Sequence, residues 1–339
     1  MRRAPAKDLV SVAGELGGVQ AQVASAAELS LAARIDGLSV RDVRRALIET
    51  RTLVKTWTLR GTLHYIPAGD VPVFGAAMTG AFSDRIALLE RAYGIARADI
   101  ERLTAAFADV LDATPRTRRE IAAAVEHHLP ENLRHMLHSG WGSILHPAAY
   151  AGILCFGPPH GQNVTFVRVD AWTGRPVTTI SRDQAVADLA RRFLHVNGPA
   201  THADFSRWTG LSPARARGAF LALEGETVQV SAAGRKATLL KSDEKDLAAA
   251  AFDGEVRLLP HFDVYTLAQA GRDLMIADAH RPLVYRKAAW ISPVIVAEGR
   301  IVGTWSMQKG HVALEPFGRL TAATRRAAIA DGERLRAAL

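Results

Sequence analysis

The residues with the clearest chemical use are Gln20 and Gln22, separated by Ala21 and preceded by Gly17-Gly18-Val19. On a helix two side chains spaced i, i+2 diverge by about 200°, whereas on an extended or turned segment they point the same way and can grip one small molecule. Water fits that grip. An amide oxygen cannot take a proton as a carboxylate does, but two amides can orient a water, and their oxygens can stabilise positive charge developing nearby. Such a site suits a reaction whose leaving group is already activated. Composition alone reads the same pair as an accident of the surface, so the surrounding elements have to decide.

Other chemistry finds little support. There is no Walker loop, no Gly-x-Gly-x-x-Gly after a strand and no Gly-x-Ser-x-Gly, so nucleotide hydrolysis, dinucleotide redox and elbow-serine hydrolysis have no motif. Adjacent His127 and His128 point about 100° apart on a helix, and the His135/His138 pair holds a metal only if two more ligands arrive from elsewhere. The single cysteine, Cys155, excludes an intrachain disulfide and a thiolate cluster; between Leu154 and Phe156 it reads as a buried structural thiol. No cofactor and no metal are expected.

The chain has 339 residues, 48% of them hydrophobic, with 42 Lys plus Arg against 34 Asp plus Glu and a net charge of +8. That balance makes a polyanion a reasonable partner. No apolar run approaches the roughly 18 residues of a membrane span, and Met1 to Asp8 lacks the apolar core of a signal peptide, so a soluble cytoplasmic, nucleoid-associated protein is expected.

The elements that must position the glutamines form one supersecondary unit read three times. Its clearest copy runs from Gly198 to Lys241. Thr201 with Asp204 three residues on starts one helix, Ser212-Pro213 starts a second that runs to about Leu223, and Thr227 to Leu240 forms a hairpin with a basic tip at Arg235-Lys236. Helix-turn-helix plus hairpin is a winged helix. An earlier copy has a helix from Ser39 to about Glu49 and strands Leu53–Trp57 and Thr62–Ile66 facing each other across Leu59-Arg60-Gly61. Another has a capping box at Thr117/Glu120, a helix near Ser143 to Gly152, and Leu154–Phe156 facing Val164–Val167 across a loop containing His160 and Gln162. Strands Glu255–Pro260, Val294–Ala297, Arg300–Trp305 and Val312–Leu314, then a helix from about Thr321, make up the rest. The fold class is therefore α+β: winged helices at 1–70, 71–170 and 171–250, followed by a β-rich domain at 251–339 with a terminal helix.

Three wings on a basic chain point to a nucleic-acid surface, because a recognition helix fits the major groove and a hairpin tip can enter the minor groove or ride on phosphates. The candidate contacts are Arg60 and His64 at the first wing, His160 and Gln162 at the second, and Arg215, Arg217, Arg235 and Lys236 at the third, with Arg272 in the β-rich part. Taken singly, a basic loop tip is usually just a solvated surface group, but three tips of the same kind shift the balance to DNA. Winged helices also serve as regulators that bind DNA without turnover, and that alternative stays open.

Five strings in order narrow the choice: Val19-Gln20-Ala21-Gln22 with Leu31-Ala32-Ala33-Arg34; Thr56-Trp57-Thr58-Leu59-Arg60-Gly61-Thr62-Leu63-His64; Gly198-Pro199-Ala200-Thr201 with Asp204-Phe205 and Trp208; Leu259-Pro260-His261-Phe262-Asp263; and Gly299-Arg300-Ile301-Val302-Gly303-Thr304-Trp305. Together, over about residues 17 to 310, they resemble the AlkZ/YcaQ-type winged-helix DNA glycosylases. The resemblance implies tandem winged helices and a β domain forming a concave DNA-binding surface, and excision of N7-alkylated purines, in some members including interstrand crosslinks. The family motif is Gln-Φ-Gln in the AlkZ branch and Gln-Φ-Asp in the YcaQ branch, where Φ is aliphatic. Gln20-Ala21-Gln22 matches the former, which implies that Gln20 and Gln22 position the water attacking C1′. A cationic N7-alkylguanine leaves without protonation, so no strong general acid and no Lys Schiff base are needed, and no strand cleavage is expected. His261 and Asp263 are candidate auxiliary groups, Asp263 being equally a cap or a partner for a nearby arginine. The expected partner is double-stranded DNA carrying alkylated bases, acted on by a monomer in repair or antibiotic self-resistance. Only 16 residues precede Gly17, so the first winged helix is expected to be short.

Overall fold

A computed structural model describes residues 3–79, 94, 96–129, 131–138, 142–251, 254–268, 272–308 and 310–339. The chain mixes helices with antiparallel strand pairs and one two-residue parallel pair, Ala4–Pro5 with Ile35–Asp36. It divides into two compact units, one made of residues 1–44, 191–208 and 223–339, the other of residues 45–190 and 209–222.

The first unit carries a four-stranded antiparallel sheet in the order Val256–Leu259, Val294–Ala297, Arg300–Gln308, His311–Pro316. Helix Ala322–Ala338 lies on it. The approach is close because position 332 is glycine: a Cβ there would stand 2.7 Å from Val312 and 3.0 Å from Leu258. Buried Asp331 on this helix accepts from the Leu258 N–H at 2.8 Å and from Arg3 at 2.6 Å, so one carboxylate ties sheet, helix and N-terminal segment together. The same helix packs on Ala24–Ala32, where Arg334 donates to the Ala32 carbonyl at 2.7 Å.

Also in this unit, Thr201 caps helix His202–Thr209 reciprocally: its hydroxyl accepts from the Asp204 N–H, and Asp204 accepts from the Thr201 N–H at 2.9 Å. Such a cap stabilises a helix by about 1 kcal/mol. Phe193, Phe205 and Trp208 cluster behind it, ring centroids 5.3 to 6.2 Å apart. Hairpin Thr227–Ala232 with Arg235–Leu240 turns at Ala233 (φ 50°) and Gly234 (φ 77°), the two left-handed residues of a tight hairpin turn.

In the second unit the strands follow one another in the order Leu63–Pro67, Leu53–Trp57, Leu154–Phe156, Thr165–Arg168, Arg116–Thr117. The hairpins read separately as first and second wings therefore share one sheet, joined where Lys55 pairs with Phe156. Trp57 sits on the join, 4.9 Å from Phe156, 5.1 Å from His146 and 6.1 Å from Phe166 between ring centroids. The Thr117/Glu120 capping box forms as expected, and its helix ends at Val125 before a short 3-10 turn, Glu126–His128. The helix expected near Ser143 to Gly152 is a 3-10 turn, Gly142–Leu145, running into His146–Tyr150. Helix Pro213–Ala222 groups with this second unit.

No described helix is long and apolar enough to cross a membrane.

Candidate active site and nucleic-acid interface

Helix Leu9–Glu15 ends in Gly17 (φ 68°) and Gly18 (φ 84°), whose N–H groups donate to the carbonyls of Gly14 and Ala13 at 3.0 Å. Left-handed residues in that hydrogen-bonded pattern stop a helix and turn the chain sharply. Only glycine fits at 17 for a second reason: a Cβ would stand 2.6 Å from the indole of Trp208. The chain leaves this turn as the short strand Val19–Gln20, bends at Gln22 and Val23, and enters helix Ala24–Ala32. The glutamines thus lie on non-helical backbone. Gln20 is buried (7% exposed), Ala21 is sealed at 0%, and Gln22 is exposed. The expectation that both side chains point the same way from an extended segment is therefore not met in full: the bend at Gln22 leaves one side chain inside the protein and the other exposed.

Helix Ala24–Ala32 brings a residue that motif reading missed. Glu28 is buried at 7%, with the Arg44 guanidinium 3.8 Å away. Its signal in the sequence is faint, a lone acid in the otherwise uncharged run Ala24 to Ala33.

Asp263 is fully buried and belongs to the scaffold. Its carboxylate accepts from both terminal nitrogens of Arg34 at 2.8 Å, from the Ser30 hydroxyl at 2.6 Å and from the Tyr265 N–H at 2.9 Å. Burial alone would raise its pKa, but the charge and hydrogen bonds of Arg34, with those of Ser30 and Tyr265, outweigh it and hold the carboxyl below the usual carboxylate range. Of its two structural options, cap and arginine partner, both are realised. The bidentate pair locks the helix that follows Gln22 onto the loop after strand Val256–Leu259. His261, two residues earlier and partly exposed, donates from Nδ1 to the Ile291 carbonyl at 2.9 Å.

The candidate DNA contacts divide by exposure. His160, Gln162, Arg217, Arg235 and Lys236 are exposed, and Arg215 is half-buried. Arg60 holds the turn between Leu53–Trp57 and Leu63–Pro67 at φ 57°, packed so that a Cβ on Gly210 would stand 3.3 Å from its Cα. Burial lowers its guanidinium pKa to about 10, so it keeps its charge at neutral pH. His64 is corrected: at 2% exposed its ring lies inside the unit, Nδ1 donating to the Thr62 carbonyl at 3.1 Å. Burial, helped by the charge of Arg60, pushes it down to about 3, leaving a neutral support beneath the turn. Arg272 opens helix Arg272–Met275, and its side chain lies outside the described residues, as do those of His128 and His138. Among the described residues no group of three or more His, Cys, Asp or Glu is arranged to hold a metal ion.

The chain belongs to the AlkZ-like DNA glycosylase family, whose model matches residues 13–338. The interstrand DNA cross-link repair glycosylase of Streptomyces sahachiroi is 35% identical over 312 residues, spanning 90% of this chain and 84% of that protein. The solved structure of the Streptomyces sahachiroi DNA glycosylase AlkZ superposes with a TM-score of 0.90 at 32% identity, covering 99% of this chain and 92% of the other.

Proposed function

We propose that this enzyme hydrolyses the N-glycosidic bond of N7-alkylated purines in duplex DNA, bulky natural-product adducts and interstrand crosslinks among them, using water held by Gln20 and Gln22. What supports this reading is membership of the AlkZ-like family over residues 13–338, with Gln20-Ala21-Gln22 standing on non-helical backbone directly after the Gly17-Gly18 helix stop. Alkylation at N7 places a positive charge on the purine, so the bond from C1′ to N9 breaks with its electron pair returning to the ring and no proton is needed on the leaving base. The sugar becomes oxocarbenium-like, and the two side-chain carbonyl dipoles stabilise that charge while orienting the water whose oxygen bonds to C1′. The water's proton passes to solvent, and the products are a free base and an abasic site. No lysine adduct with the sugar forms, so the strand is left uncut.

Tandem winged helices are the proposed grip on the duplex, with Arg217, Arg235 and Lys236 as phosphate ligands and His160 and Gln162 on the loop of the second hairpin. Action on crosslinks is what the name of the Streptomyces relative carries, and we extend it to this chain.

The test is release of N7-methylguanine from a labelled duplex, with heat or alkali to reveal abasic sites. Gln20→Ala and Gln22→Ala are each expected to lose about 10²-fold or more in rate with duplex affinity kept, the scale of a lost electrostatic group. Undiminished excision by both variants would sink the mechanism.

A further inference from the structure

We propose that Trp290 is a stacking platform for an unpaired base of the DNA substrate, a substrate contact outside the glutamine pair and the wings. It stands on the DNA-glycosylase reading above but not on the identity of the lesion. Trp290 is 42% exposed at the end of a loop closed by a β-bridge between Tyr285 and Ile291. Isolated surface tryptophans are common and mean nothing by themselves. This one sits on a strained and pinned support. Ala288 (φ 55°) and Ala289 (φ 57°) are successive left-handed residues with a Cβ, and Phe262 beneath the ring has φ 56°, so three of the seven such non-glycine residues described meet here. Each is a sparsely populated conformation for a residue with a Cβ, and such outliers gather where a ligand is clamped.

The pinning is specific. The Arg286 N–H donates to the Trp290 carbonyl at 2.8 Å, and Ser292 donates to the carbonyls of Val284 and Leu283 at 2.9 and 3.0 Å. The indole meets His261 at 4.9 Å and Phe262 at 5.0 Å, both edge-to-face, and His261 is itself held by Ile291. A ring fixed in this way has little rotamer freedom left to lose when a base stacks on it. Exposed Arg286 and Lys287 precede it by four and three residues in the same loop, supplying the positive charge that draws a phosphate backbone toward an aromatic face.

The platform shares a frame with the candidate catalytic segment. Phe262 precedes Asp263, and Asp263 holds Ser30 and Arg34 at the end of the helix that begins just after Gln22. One buried carboxylate therefore fixes both the tryptophan's support and the helix behind the glutamines.

The experiment is fluorescence anisotropy with the full chain on two duplexes, one intact and one with a tetrahydrofuran abasic analogue that leaves its opposite base unpaired. The native protein is expected to prefer the second. Trp290→Ala is expected to lose about 5- to 150-fold in affinity for it, the range of one base–aromatic stack, while its binding to intact duplex changes less than about 2-fold. Trp290→Phe should restore most of the loss. No preference in the native protein, an unchanged Ala variant, equal losses on both duplexes or no recovery with Phe would each overturn the proposal. The Gln20→Ala, Gln22→Ala double variant should keep the preference, so failure of the hydrolytic mechanism reads out separately.

Discussion

His64 makes the pH response of the second unit predictable. Its ring is 2% exposed and stays neutral because burial, with Arg60 alongside, lowers its pKa from 6.5 to about 3. In the unfolded chain the same histidine titrates near 6.5. The folded state thus binds fewer protons, so the contribution is fully present above about pH 6.5 and is lost as pH falls from there towards 3. At pH 5 the loss is about 1.5 units at 1.36 kcal/mol per unit, or about 2 kcal/mol. For a unit of about 160 residues that is about 4–8 °C in Tm. The comparison is between the native protein and His64→Asn, whose side-chain N–H can still reach the Thr62 carbonyl but cannot titrate. Between pH 7.5 and 5.0 the native Tm should fall further than the variant's by that margin. Parallel falls in the two proteins would refute the reasoning. Arg60→Gln should raise the histidine pKa and narrow the difference.

Removing one partner of the Arg34–Asp263 pair should be severe: Asp263→Ala is expected to lower stability by about 3–5 kcal/mol, because it strands a buried guanidinium. Urea unfolding checks this, and a loss under about 1 kcal/mol would show that the tie contributes little. Burial pushes the Cys155 thiol up to about 12, so an Ellman-type reagent should leave the native protein unmodified and titrate one thiol after denaturation. Rapid labelling of the native protein would contradict that placement.

Local signals in the sequence carried far. The caps at Thr117 and Thr201 are decided within a few residues, and spacing alone located them; the Thr227 to Leu240 hairpin was read as well, though its turn falls at Ala233-Gly234 and not at Arg235-Lys236. What depends on distant partners was not legible. The join of the two hairpins rests on Lys55 meeting Phe156, and no residue near either announces it. His64 stands in a strand whose middle residues are buried on both faces, so its neighbours give no polar alternation to warn that the ring points inward. At the candidate site, the glutamines were found by type and spacing, whereas buried Glu28 and the support under Trp290 depend on packing between segments far apart in the chain.

The unit that holds Gln20 and Gln22 is closed by residues made much later, with Arg3 reaching Asp331 and Arg334 reaching Ala32 across separations of 328 and 302 residues. At a synthesis rate of about 5–20 residues per second, some 300 residues amount to about 15–60 s between the emergence of the glutamine segment from the ribosome and that of the helix that locks it. During that interval Leu31 and Ile35, which end fully buried, have no finished core to enter. A nascent chain therefore carries apolar surface here that is exposed until the closing helix is made. The frame around Gln20 and Gln22 is likewise complete only once synthesis has passed the closing helix.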